Sequence, residues 1–139
     1  MDRSILIVED SPEDYETLLR SFRKVGLDEK FVRCRNGDEA ISMLEGINSD
    51  HNNSPSLILL DLNLPGTSGL QVLEHIKGIN SLRHIPVIIM TTSNNERDIR
   101  MSYDNGANSY IQKPVDFEDT VRVARLIKDY WFDCAKLPE

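Results

Sequence analysis

Short uninterrupted apolar runs alternate along this chain with stretches whose apolar residues recur every three to four positions. The runs at 5–8 (ILIV), 57–60 (LILL) and 87–90 (VIIM) lack the polar alternation of a half-exposed strand, which predicts strands buried on both faces. Residues 31–34 and 110–112 supply two shorter strands. Between the first two runs, Tyr15, Leu18, Leu19 and Phe22 fall at i, i+3, i+4 and i+7. That spacing predicts a helix over 12–24, started by Ser11 and Pro12 and stopped by Gly26. Apolar faces at Ala40, Ile41 and Leu44, and at Leu70, Val72, Leu73 and Ile76, predict helices over 38–44 and 68–76. A shorter helix is expected over 96–103 and a long final one over 117–134. Strands alternating with helices at this interval are βαβ units, whose right-handed crossovers build a parallel sheet covered on both faces. The expected fold is an α/β, five-stranded, doubly wound sandwich.

A chain of 139 residues suits a single core. The composition shifts strongly only in the polar loop 48–56, a surface insertion before the third strand. Little chain follows residue 134, so one domain spanning 1–139 is expected, without a linker and an output domain. The 16 Lys and Arg against 23 Asp and Glu give a net charge of -7, which disfavours a nonspecific phosphate-backbone binder. No nucleic acid partner is therefore expected. The N-terminus turns acidic too early for a signal sequence or a membrane span, so the expectation is a cytoplasmic protein without membrane attachment. Cys34 and Cys134 have no CxxC spacing and read as reduced thiols. His51, His75 and His84 show no paired metal spacing and read as surface residues.

In an open α/β sheet, ligands bind beyond the carboxyl ends of the strands. Here those ends carry Glu9 and Asp10, then Asp61, then Thr91 and Thr92, then Lys113 with Pro114. Converging carboxylates repel one another unless a cation offsets them, and an all-oxygen set argues for Mg²⁺. Plainer roles are open to the same residues. Asp10 or Ser11 could cap the first helix, and Thr91 could begin a loop or cap the next helix. Lys113, after a short apolar strand, is expected to point at the acids, because a buried ammonium without an anion is expensive.

The segments IVEDSPED, LLDLNLPGTSGL, PVIIMTTS and SYIQKPVD, in this order and spacing, resemble the receiver domain of two-component response regulators. The resemblance covers nearly the whole chain and implies a flavodoxin-like (βα)5 fold. It implies a signalling switch rather than an enzyme, with Asp61 accepting a phosphoryl group from a phosphohistidine of a sensor histidine kinase. Asp10, Asp61 and the main-chain carbonyl of Asn63 would hold Mg²⁺, with Glu9 joining through water. Thr91 would contact the phosphoryl group, Lys113 would pair with one of its oxygens, and a cis Lys113–Pro114 bond would aim the ammonium inward. Tyr110 matches the family's aromatic switch position, and Asn63 and Ser93 match positions that tune phosphoryl loss. Glu-Asp in place of two aspartates, and Thr92 where a smaller residue is frequent, depart from the commonest pattern.

The resemblance also implies that Thr91 moves toward the phosphoryl group and makes room for the Tyr110 ring. On the final helix, Val121, Ala124, Ile127 or Lys128, and Trp131 form one stripe, and Val123, Leu126, Tyr130 and Cys134 a second. One stripe suffices for the sheet. The second either covers more sheet or, with Phe132, marks association. The preferred reading is a homodimer through this helix and its neighbours (helix four, strand five), with Leu126, Tyr130, Trp131 and Phe132 on its surface. The polar loop and the ending DYWFDCAKLPE resemble stand-alone regulators paired with bacterial, chiefly cyanobacterial, phytochrome kinases. Two other classes compete. A Mg²⁺-dependent phosphohydrolase acting through an aspartyl phosphate wants DxD, where this chain has Asp61-Leu62-Asn63. A flavodoxin-like cofactor binder wants a phosphate loop where this chain has the acidic EDSPED.

Overall fold

The computed structural model describes residues 3–47 and 54–138. Most of the expected polar loop, and His51 with it, lies outside the described residues. Five parallel strands, β1 (Ser4–Val8), β2 (Lys30–Cys34), β3 (Leu57–Leu60), β4 (Val87–Thr91) and β5 (Ser109–Gln112), form one sheet in the order β2-β1-β3-β4-β5. The helices are α1 (Pro12–Lys24), α2 (Gly37–Gly46), α3 (Gly69–Gly78), α4 (Glu96–Asp104) and α5 (Phe117–Ile127), the last running into a π-helical segment over Lys128–Cys134.

Alternation along the buried strands assigns each side chain to a face. Leu6, Val8, Ile58, Leu60, Val87 and Ile89 pack with Ala40, Leu44, Val72, Leu73 and Ile76 from α2 and α3. Ile5, Ile7, Leu57, Leu59, Ile88 and Met90 pack with Leu18 and Phe22 of α1 and Ala124 and Ile127 of α5. The continuous apolar runs are thus the double-faced strands their composition predicts.

Helix starts follow side-chain capping. Ser11 accepts from the Asp14 amide, Asn36 from Glu39, Ser68 from Gln71, Asn95 from Arg97 and Asp116 from Asp119. The α2 and α3 helices run two residues beyond the expected ends. The final helix differs more. Its α-helical part stops at Ile127, and the wider turn that follows lays Trp131 and Phe132 against the α1/α5 core. Of the four residues expected on an association surface, Leu126 and Tyr130 are exposed, whereas Trp131 and Phe132 are half-buried in their own domain. Among the described histidines, His84 is exposed, but His75 is half-buried between α2 and α3, its Nε2 3.7 Å from Glu45 Oε1. Cys34 is buried and Cys134 exposed, both free. Among the described residues no helix is long and apolar enough to cross a membrane.

Candidate functional site

The strand order reverses at β1, since β2 lies on one side of it and β3 on the other. This is the switch point at which doubly wound sheets open a crevice. Register brings the strand ends level there, with Val8 opposite both Cys34 and Leu60, and Thr91 opposite Gln112. The residues that step off the sheet are held by one last ladder bond each. The Asp61 amide donates to Val8 O at 3.1 Å, and the Lys113 amide to Thr91 O at 2.7 Å.

Carboxylate oxygens of Glu9, Asp10 and Asp61 lie within 4.8 Å of one another. Glu9 and Asp61 are buried and Asp10 is exposed. The Lys113 ammonium reaches Glu9 Oε1 at 2.6 Å, Asp61 Oδ2 at 2.8 Å and Asp14 Oδ2 at 2.9 Å. Its three donors therefore meet three carboxylates. Burial pulls the Lys113 pKa down, but hydrogen bonds to Asp61, Glu9 and Asp14 outweigh it and raise the value above the ordinary lysine range. Burial raises Glu9 to about 7, against the opposing hydrogen bond and charge of Lys113. Asp10 adds a fourth carboxyl group beside the three that the ammonium meets, so acidic groups outnumber the one cation here, and all the donors are hard oxygens. A divalent metal ion fits the oxygen donor set that Glu9, Asp10 and Asp61 offer.

The loop after β3 is shaped by backbone proximity. A side chain at Gly69 would place its Cβ 2.1 Å from Asp61 O and 2.6 Å from Leu62 Cα, so α3 abuts the aspartate's own main chain at a residue without one. Gly66 takes φ +71° in the same loop, a region glycine enters without strain. Asn63 turns back over the site, its amide donating to Asp61 Oδ1 at 3.0 Å and its Nδ2 to Thr91 Oγ1 at 3.2 Å. Thr91 is fully buried at the end of β4 and caps no helix, that role falling to Asn95. Thr92 is exposed.

Tyr110 is half-buried against the α2/α3 core, and its hydroxyl donates to Ser93 O at 3.0 Å. Ser93 Oγ in turn donates to Asp98 Oδ2 of α4 at 2.8 Å. The ring is thus already tied to the loop that follows Thr91.

The strand ends pointed to Glu9, Asp10, Asp61, Thr91 and Lys113 and the family resemblance to Asn63, and the fold brings all six into one cluster. The Lys113–Pro114 bond is a correction. It is trans, like every other peptide bond among the described residues, the isomer X–Pro ordinarily prefers, and the trans turn delivers the ammonium to the acids. Two participants were not foreseen. Asp14, which meets Lys113, reads as an ordinary acid in the first turn of a helix, and Arg33, whose guanidinium donates to the Glu9 carbonyl, as a charge on an outer strand.

Fold and site together define a class, that of doubly wound α/β proteins with a carboxylate and lysine cluster at the switch point. The family model for the response regulator receiver domain matches residues 5–125, and the chain belongs to that family. It is 37% identical over 134 residues to the probable methanogenesis regulatory protein FilR2 of Methanothrix harundinacea, covering 96% of this chain and 86% of that one. It is 36% identical over 136 residues to response regulator Rcp1 of Synechocystis, covering 96% and 92%. The phosphorylated cyanobacterial phytochrome response regulator RcpA superposes with TM-score 0.90 at 36% identity, over 100% of both chains. A structure of Rcp1 in its Mn²⁺-bound form matches at TM-score 0.87 and 35% identity, over 99% of each chain.

Proposed function

We propose that this receiver, as one domain over residues 1–139, takes a phosphoryl group on Asp61 from a phosphohistidine of a sensor histidine kinase. The observation that carries this is the placement of a buried aspartate between the Lys113 ammonium, 2.8 Å away, and two further carboxylates within 4.8 Å. Phosphoryl transfer asks the protein for position and charge neutralisation more than for covalent help. An Asp61 oxygen attacks phosphorus in line as the P–N bond breaks. The donor nitrogen keeps the bonding pair and takes up a proton. Lys113 and the Thr91 hydroxyl supply donors to the phosphoryl oxygens, and Asn63 holds Asp61 by its amide.

The cation proposed for Glu9, Asp10, Asp61 and the Asn63 carbonyl is Mg²⁺, which when bound neutralises charge on the transferring oxygens. Asn63 offers no second carboxyl for leaving-group protonation, which disfavours the hydrolase reading.

The switch runs through Thr91 and Tyr110. A hydroxyl drawn toward a new dianion moves the end of β4, and the Tyr110–Ser93–Asp98 chain passes that movement to α4. This helix is weakly anchored, Ser102 being its one fully buried residue, as suits a segment that must shift. For output we propose a homodimer centred on Leu126 and Tyr130, 62% and 55% exposed. The full-length match to RcpA supports a phytochrome kinase as the cytoplasmic partner.

Intact mass after incubation with Mg²⁺ and acetyl phosphate tests the reading. One added phosphoryl group on wild type and none on Asp61→Asn is expected, and turnover of phosphomonoesters without an adduct would overturn it.

A further inference from the structure

The turn that carries the acidic pair is braced from outside its own strand. The last ladder bond on the β2 side runs from the Glu9 amide to Cys34 O at 3.0 Å. Beyond it, Arg33 of β2 takes over. Its Nε and Nη2 donate to Glu9 O at 3.2 and 3.1 Å, and Nη2 also reaches Asp10 O at 3.4 Å. The guanidinium carbon lies 5.0 Å from the centroid of the Tyr15 ring on α1. The fork is therefore held between a strand, a helix and two consecutive carbonyls.

Those carbonyls belong to the residues whose carboxylates meet Asp61. Glu9 has other restraints, since Oε1 bonds Lys113 and Oε2 accepts the Ser11 amide at 3.2 Å. Asp10 is exposed, and the tilt of the peptide leading to it decides where its carboxylate points. We propose that Arg33 is a positioning residue for the divalent-cation site, setting the Glu9–Asp10 turn by bridging its carbonyls. This rests on the reading of Glu9, Asp10 and Asp61 as the cation site.

Charge and position pull in opposite directions here, which makes the inference testable. A guanidinium beside a cation site repels the ion, so electrostatics alone predicts that removing it tightens binding. Bracing predicts the reverse. Lysine keeps the charge but presents a single compact ammonium in place of a planar fork.

The experiment is Mn²⁺ titration of the full chain, with the free ion followed by electron paramagnetic resonance, for wild type, Arg33→Lys and Arg33→Met. Both variants are expected to bind about tenfold or more weakly, the usual penalty for losing a group that orients metal ligands. At saturating Mn²⁺ they are expected to accept phosphoryl from acetyl phosphate at close to the wild-type rate. Equal affinity in Arg33→Lys, or tighter binding by Arg33→Met, overturns the proposal. If Arg33→Met fails to fold by circular dichroism, Arg33→Lys decides alone. A wild type that binds no Mn²⁺ overturns the cation reading itself, a result distinct from equal binding by wild type and variants.

Discussion

Lys113 Nζ stands 2.8 Å from Asp61 Oδ2, and this contact joins chain segments 52 residues apart. The same ammonium holds Glu9, which is equally buried, and Asp14, whose side chain is half exposed. Lys113→Met leaves the two buried acids facing each other without their counter-ion. Loss of one partner from a buried pair costs roughly 3 kcal/mol. Thermal denaturation without divalent ions is expected to show a loss of that size, partly recovered by Mg²⁺. Asp14→Asn removes a solvent-side charge while keeping an acceptor oxygen, and is expected to cost less than about 1 kcal/mol. Equal losses from the two variants would contradict this ranking.

Gly69 and Gly78 sit at opposite ends of α3 and respond differently to a methyl group. Gly69→Ala drives a Cβ into Asp61 O and Leu62 Cα. Backbone overlap of this kind is expected to cost about 2 to 3 kcal/mol. Gly78→Ala meets nothing within 4 Å and is expected to be neutral or to stabilise by up to about 1 kcal/mol. Urea denaturation of the two variants gives the comparison, and a tolerated Gly69→Ala would contradict the close approach of α3 to the aspartate.

Tyr110→Phe keeps the ring and removes the hydroxyl that Ser93 O accepts. A net loss of about 1 kcal/mol is expected, and the larger effect is local. Hydrogen exchange over 93–99 should quicken while the β1 and β3 amides are unchanged. Unaltered exchange at 93–99 would separate Tyr110 from the loop and remove the proposed link to α4.

Burial pushes the Cys34 thiol up to about 11, with Glu39 adding to the effect. Thiolate is the nucleophile, so a raised pKa means less of it at any pH below that value. Iodoacetamide at pH 8 is expected to label Cys134, which is exposed, and to reach Cys34 only after denaturation. Rapid labelling of Cys34 in the folded protein would contradict its place in the core.

The strands and most helix starts were legible because each has a local cause, an aliphatic run or a capping side chain, that acts within a few residues. Glu9, Asp61, Thr91 and Lys113 were legible as a site because strand ends converge in any parallel sheet of this order. The end of α5 was not, since the apolar stripes run on through Trp131 and Phe132 whether the turn is α-helical or wider. Arg33 and Asp14 escaped for a different reason. Each acts on a residue more than twenty positions away, at a place where a charge is ordinary.

The central claim is that Asp61 carries the phosphoryl group, and borohydride trapping tests it most directly. Reduction of an aspartyl phosphate yields homoserine at the modified position. After incubation with Mg²⁺ and acetyl phosphate, tandem mass spectrometry of the digested protein should place homoserine at residue 61 and leave Asp10 and Asp14 as aspartate. Homoserine at another aspartate, or at none while intact protein carries phosphate, would contradict the account.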